Sequence, residues 1–161
     1  GRIKVSCLKS EERGFMKIYL DCCCLQRPFD DKSQPRIAVE AESVLAILSL
    51  CESGKLTLIS SDALLFEIYR IPDPNRKDDA LEILSMASET ISLTEEVEFV
   101  ARKFEKEGLQ PLDALHLAFA SCWKIDYFCT CDDRFSKKAK NFKELNTNVV
   151  SPIELVMELH I

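Results

Sequence analysis

The chain has 161 residues, 47% of them hydrophobic and 30% charged, with a formal charge of −6. That length fits one domain, and such a domain buries about 68–70% of the surface its unfolded chain exposes, enough for an apolar core without disulfides or a structural metal. The mixture excludes wholesale disorder, and the acidic balance excludes the broadly basic footprint of a duplex-DNA binder.

The longest apolar runs, around Val44–Cys51 and Ala114–Trp123, fall short of the ~18 residues that span a bilayer, so no membrane association is expected. Residues 1–15 lack periodicity and are too polar for a signal peptide; they read as an upstream extension or cloning remnant before a natural start at Met16. The eight cysteines include the consecutive Cys22, Cys23 and Cys24, and neighbouring thiols make strained disulfide partners. The expectation is a cytoplasmic protein with reduced thiols.

From Met16 the pattern alternates strand and helix. Lys17–Asp21 is a short apolar run ending in an acid. Arg36–Cys51 repeats apolar residues at three and four, and Gly54 stops it. Lys55–Ser60 reads as a strand, and Ser61 or Asp62 caps a short helix to Arg70. Two prolines make Ile71–Asn75 a loop, followed by a helix over Arg76–Ser88 and a strand over Thr90–Leu93. Thr94 opens a helix that Gly108 closes, and Pro111 opens another to Lys124. Tyr127–Cys131 is a strand, Arg134–Phe142 a basic helix, Val149–Val150 a strand, and Pro152 starts the last helix. Strands separated by helices predict a parallel sheet with helices on both faces, an α/β sandwich.

In such sheets the site lies beyond the carboxyl ends of the strands. Asp21 ends the first strand, and Asp132 and Asp133 end the fourth. Glu67 follows the second strand as the one charge within A-L-L-F-E-I-Y (63–69), where it needs a partner, metal or water. Its plainest alternative is a pair with Arg70. Asp113 sits in the first turn of its helix, where complementing the helix dipole is the plain alternative. Carboxylates converging on one edge repel each other, and Mg²⁺ or Mn²⁺, which take oxygen ligands, is the usual remedy.

The segments M-K-I-Y-L-D (16–21), S-D-A-L-L-F-E-I (61–68), P-L-D-A-L-H-L-A (111–118) and T-C-D-D-R-F (130–135), in that order, resemble the PIN-domain nucleases, most of all the VapC-type toxins of toxin–antitoxin pairs. The resemblance covers Met16 to about Leu159. It implies a three-layer sandwich around a five-stranded parallel sheet of order 3-2-1-4-5, and metal-dependent endoribonuclease activity using metal-activated water. It places the catalytic and metal-holding acids at Asp21, Glu67, Asp113 and Asp132; the T-x-D-x-x-F spacing selects Asp132 over Asp133. It also implies an RNA substrate, a possible cognate antitoxin and a possible homodimer. Cys22 and Cys23 stand where the family carries hydroxyl or amide residues, and Asp30 and Asp31 are extra acids near the site in sequence.

Other constellations compete. A phosphatase of the haloacid-dehalogenase type needs a second Asp two residues after the first; Cys23 stands there. A non-catalytic module of the same fold is the alternative from another class. A third reading is a thiol site for metal or redox work, with Cys22–Cys24, Cys129 and Cys131 at neighbouring strand ends. Against it, Cys129 and Cys131 alternate with Thr130 and Asp132 and are expected to face away from the acids. His116, one turn after Asp113, is a base or a core histidine. Residues 134–143 carry Arg134, Lys137, Lys138, Lys140 and Lys143 with no acid. They are a solvated face or, with Arg134, Lys137, Lys138 and Lys140 foremost, an RNA contact beside the fourth strand.

Overall fold

The computed structural model describes residues 16–161; the segment read as an upstream extension lies outside them. The strands are β1 (Lys17–Leu20), β2 (Thr57–Ser61), β3 (Glu89–Ile91), β4 (Tyr127–Cys129) and β5 (Asn148–Val150). All pair in parallel in the order β3-β2-β1-β4-β5, as expected. The helices are α1 (Cys22–Gln26), α2 (Pro35–Glu52), α3 (Asp62–Tyr69), α4 (Pro74–Leu84), α5 (Glu95–Lys106), α6 (Pro111–Cys122), α7 (Asp133–Ala139) and α8 (Pro152–Leu159). Among the described residues no helix is long and apolar enough to cross a membrane.

β1 is the centre of the sheet. Successive strand side chains point to opposite faces, and Ile18, Tyr19 and Leu20 are all fully buried, so both faces are covered. The order makes β2 and β4 the two neighbours of β1, so the chain leaves β1 in opposite directions. A crevice forms there, beyond the carboxyl ends of β1 and β4.

The local signals act where expected. Ser61 caps α3 by accepting from the Leu64 amide, and Thr94 caps α5 by accepting from Val97. Gly108 ends α5 with φ +111°, a conformation costly to any residue with a Cβ. One reading is corrected. Pro74 does not belong to a loop: it occupies the first turn of α4 behind the Asp73 cap, where its missing N–H costs nothing. The chain after Asp21, for which the sequence pattern predicts no element, is helical. It enters α1 at once and continues through a 3-10 turn, Arg27–Phe29. Three cysteines have poor helix propensity; the Asp21 cap and burial of Cys22, Cys24 and Leu25 overcome it.

Candidate active site

Asp21 is fixed by β1 and by its own cap. Its backbone N–H donates to the Cys129 carbonyl at 2.9 Å, tying it to β4. Oδ1 accepts from the Cys22 amide at 2.9 Å, and Oδ2 accepts from the Thr130 hydroxyl at 2.8 Å. The carboxyl is 6% exposed. Burial pushes it up to about 7, with Cys23 and Glu67 adding to the rise and His116 and Thr130 opposing it. Thr130, the first residue of the T-x-D segment, acts at the site although the sequence pattern assigns it no role. It supplies a hydroxyl to Asp21 where Cys22 and Cys23 cannot.

Glu67 does not pair with Arg70, whose guanidinium lies over the Phe66 ring, 5.1 Å from its centroid. Its Oε1 is 2.7 Å from His116 Nε2. The contact continues inward. His116 Nδ1 is 2.6 Å from the Tyr19 hydroxyl, which is 2.6 Å from Ser61 Oγ, which accepts from the Leu64 amide. One proton arrangement satisfies every member: Ser61 donates to Tyr19, Tyr19 to Nδ1, and Nε2–H to Glu67. Burial lowers the affinity of His116 for its second proton, but the Glu67 hydrogen bond and the charges of Asp21, Glu67 and Asp113 outweigh this and raise it. The buried His116 therefore holds Glu67 in place. The sequence singles out His116, and Ser61 only as a helix cap, but points to no contact of Tyr19 or Ser61 with the site, since hydroxyls inside strands carry no periodic signature.

Tyr19→Phe tests this chain. It leaves His116 Nδ1 and Ser61 Oγ without their buried partner, and a lost buried hydrogen bond of this kind costs about 1–3 kcal/mol. The unfolding free energy in urea should fall by that amount, seen as a lower midpoint at an unchanged m value; an unchanged midpoint would show that this hydrogen-bonded series holds nothing together.

Asp113 lies in the first turn of α6, partly buried. Burial raises it to about 6, helped by the negative charges of Asp21, Asp132 and Glu67 and opposed by His116. Asp132 caps α7 through Oδ1, accepting from the Arg134 and Phe135 amides at 3.0 and 3.1 Å. It lines, with Asp113, Arg134 and Lys138, a cleft of about 190 Å³. The four acids thus share one electrostatic neighbourhood, and Asp21, Glu67 and His116 present ligand atoms within 4.8 Å of one another.

The neighbouring acids are engaged elsewhere. Asp133 makes a two-pronged contact with Arg36 at 2.6 Å on each oxygen. Asp30 pairs with Arg27 and Arg76, and Asp31 Oδ1 accepts from the Ser33 amide. The basic run divides. Arg134 and Lys138 line the acidic cleft, Lys138 donating to the Gly108 carbonyl at 2.9 Å. Lys140 turns to Glu154 at 3.3 Å, and Lys137 is exposed on α7.

The cysteines depart furthest from expectation. Helical rotation in α1 turns Cys22 away from the thiols of Cys23 and Cys24. Cys22 faces Gln26, whose Nε2 lies 3.5 Å from its sulfur. Cys23 Sγ lies 3.5 Å from Asp21 Oδ2 and accepts from the Cys131 amide at 3.3 Å, while Cys24 packs against Cys129 and Cys131. β4 stops at Cys129, so the strict alternation that turned Cys131 away from the acids does not extend to it. Through Cys23, the thiols adjoin the acid site.

Residues 18–141 match the PIN-domain family model. The chain therefore belongs to the PIN-domain family. Its fold is similar to VapBC2 from Rickettsia felis, a structure bound to a DNA fragment from its promoter. There the identity is 16%, the TM-score 0.55, and the match covers 84% of this chain and 98% of that one. It is also similar to VapC20 of Mycobacterium tuberculosis, a toxin that cleaves the sarcin–ricin loop, at 19% identity and TM-score 0.54, over 80% of this chain and 98% of that one. PAE2754 from Pyrobaculum aerophilum matches at 13% identity and TM-score 0.52, over 90% of each chain. No curated protein sequence matches the chain at a significant level.

Proposed function

We propose that this protein is a divalent-metal-dependent endoribonuclease of the VapC type. The observation that carries the reading is the crowding of Asp21, Glu67, Asp113 and Asp132 beyond the ends of β1 and β4. Two of these carboxyls are raised toward neutrality by burial and by one another. Such a set is uncomfortable without a cation, and its donors are oxygens, the chemistry that Mg²⁺ or Mn²⁺ selects. Asp21, Glu67, Asp113 and Asp132 would hold the ion. When bound, it supplies charge to offset the anionic phosphodiester and makes water more acidic. His116, through Glu67, and Thr130, through Asp21, orient these carboxylates.

The test is cleavage of a panel of single-stranded and structured RNAs by the purified chain in Mg²⁺ or Mn²⁺, with EDTA as the paired control. Cleavage abolished by EDTA supports the reading; intact RNA throughout favours a non-catalytic module that docks another protein. The VapC likeness supports a cognate antitoxin as partner. An apolar cleft of about 360 Å³ lined by Phe66, Leu93, Leu112, Leu115 and Phe119, beside the exposed Phe66 and Leu93, supports a homodimer.

RNA contacts are assigned to Arg134 and Lys138, which share the cleft with two of the acids. Neutralising both to Gln should weaken RNA binding across sequences. The slope of log affinity against log salt should flatten by about 0.7 per contact for a single strand. Lys140→Gln should leave the slope unchanged, because Glu154 already engages that ammonium. Equal effects at all three positions would mean a diffuse field rather than a contact site.

A further inference from the structure

The acid site has a second cluster of potential ligands at its border, made of sulfur rather than oxygen. Cys23 and Cys24 come from α1, and Cys131 follows β4. Their sulfurs all lie within 4.8 Å of one another, with Cys24 Sγ 3.7 Å from Cys131 Sγ. Sulfurs bound to one Zn²⁺ at about 2.3 Å stand roughly 3.8–4.0 Å apart, so these side chains need little movement to close on an ion. We infer that Cys23, Cys24 and Cys131 form a binding site for one thiophilic cation of the Zn²⁺ class, separate from the carboxylate site.

Simple packing accounts for Cys24 and Cys129, which are fully buried. Cys23 and Cys131 pack against the core as well but are only partly buried. Packing does not account for the Cys131 backbone N–H aimed at Cys23 Sγ at 3.3 Å, a donor that supports negative charge on sulfur. Three thiolates and a divalent ion leave one net negative charge, and the Cys131 amide that donates to Cys23 Sγ helps to carry it.

Sulfur donors select against Mg²⁺, which the neighbouring carboxylates favour, so the two sites take different ions, while the 3.5 Å contact between Cys23 Sγ and Asp21 Oδ2 couples their occupancy. Binding releases the three thiol protons to solvent, making uptake pH-dependent. One of these protons faces Asp21, since Cys23 Sγ is 3.5 Å from Oδ2. The site stands without the nuclease reading, because none of its ligands is a carboxylate.

The experiment uses the full chain, reduced and stripped of metal, with Co²⁺ as the probe. One equivalent should bring up a near-ultraviolet thiolate-to-metal charge-transfer band that Zn²⁺ displaces and excess Mg²⁺ does not. Cys23→Ser and Cys131→Ser, at half-buried positions that tolerate the change, should each lower affinity by more than the roughly 10–100-fold that outer-shell partners cost. The paired Cys51→Ser, Cys122→Ser variant and Asp113→Asn should keep the band. The inference is overturned by a folded wild type that shows no band. It is also overturned by wild-type affinity in both the Cys23 and Cys131 variants, by loss of the band in Asp113→Asn, or by a Cys24–Cys131 disulfide that forms with no cobalt uptake.

Discussion

Asp113→Asn should cut RNA more than about a hundredfold more slowly than wild type, since even partners one shell removed from a metal cost roughly 10–100-fold. It should do so without loss of stability. Asp113 is raised to about 6 first by burial and then by the negative charges of Asp21 and Asp132. The neutral amide keeps the shape and removes one charge from that crowd, so the metal-free variant should melt at the same temperature as wild type or higher. An inactive variant that is also unfolded would leave a structural role standing, and for that reason the melting curve belongs to the same measurement. An Asn variant with full activity would remove Asp113 from the site. Adding Mn²⁺ separates the two proteins further: wild type should rise in melting temperature and Asp113→Asn much less. An ion that binds only the folded state contributes about 2.7 kcal/mol at a hundredfold excess over its dissociation constant.

The succession of strands and helices was legible from short-range signals, as were Asp21, Glu67 and Asp113 as candidate acids, whereas the sheet order came only with the family resemblance. β1 is four residues whose last three are buried, Pro111 and Gly108 bracket the turn into α6, and Glu67 is a charge inside an apolar segment. What escaped were features built from residues distant in sequence. Tyr19, Ser61 and His116 meet across three elements, and nothing local distinguishes a hydroxyl that will be buried against an imidazole. Asp132 and Asp133 are adjacent acids, and a family spacing was needed to prefer the first. Their actual difference is that Asp132 caps α7 while Arg36, nearly a hundred residues away, captures Asp133. The thiols show the same limit. Placing Cys22–Cys24 at a strand end left their directions open. A five-residue helix turns each by about 100° from the last and delivers Cys23 to Asp21 and Cys24 to Cys131.

The metal-free protein should lose stability as the pH rises from about 4 to 7, the reverse of ordinary acid denaturation. Asp21 is raised from 3.8 to about 7, chiefly by burial. Between those values the folded state holds a proton that the unfolded state has released, so the folded state binds more protons and stability falls with pH. At 1.36 kcal/mol per unit the Asp21 shift corresponds to about 4 kcal/mol between the two limits. Asp113, raised to about 6, acts in the same direction, and the protons leave as a coupled set rather than one residue at a time. His116 also acts that way, since a raised histidine stabilises the fold below its unfolded value and loses this as pH rises through the folded one. Divalent cation should reverse the trend. The ion competes with the protons for the same oxygens, so Mn²⁺ should stabilise the protein strongly at pH 8 and little at pH 5. Asp21→Asn should flatten the metal-free profile and weaken the response to Mn²⁺ at pH 8. Urea midpoints in EDTA and in Mn²⁺ at the two pH values measure all of this. A metal-free protein that is more stable at pH 8 than at pH 5 would show that these carboxyls ionise without strain, and the case for a cation among them would lose its physical ground.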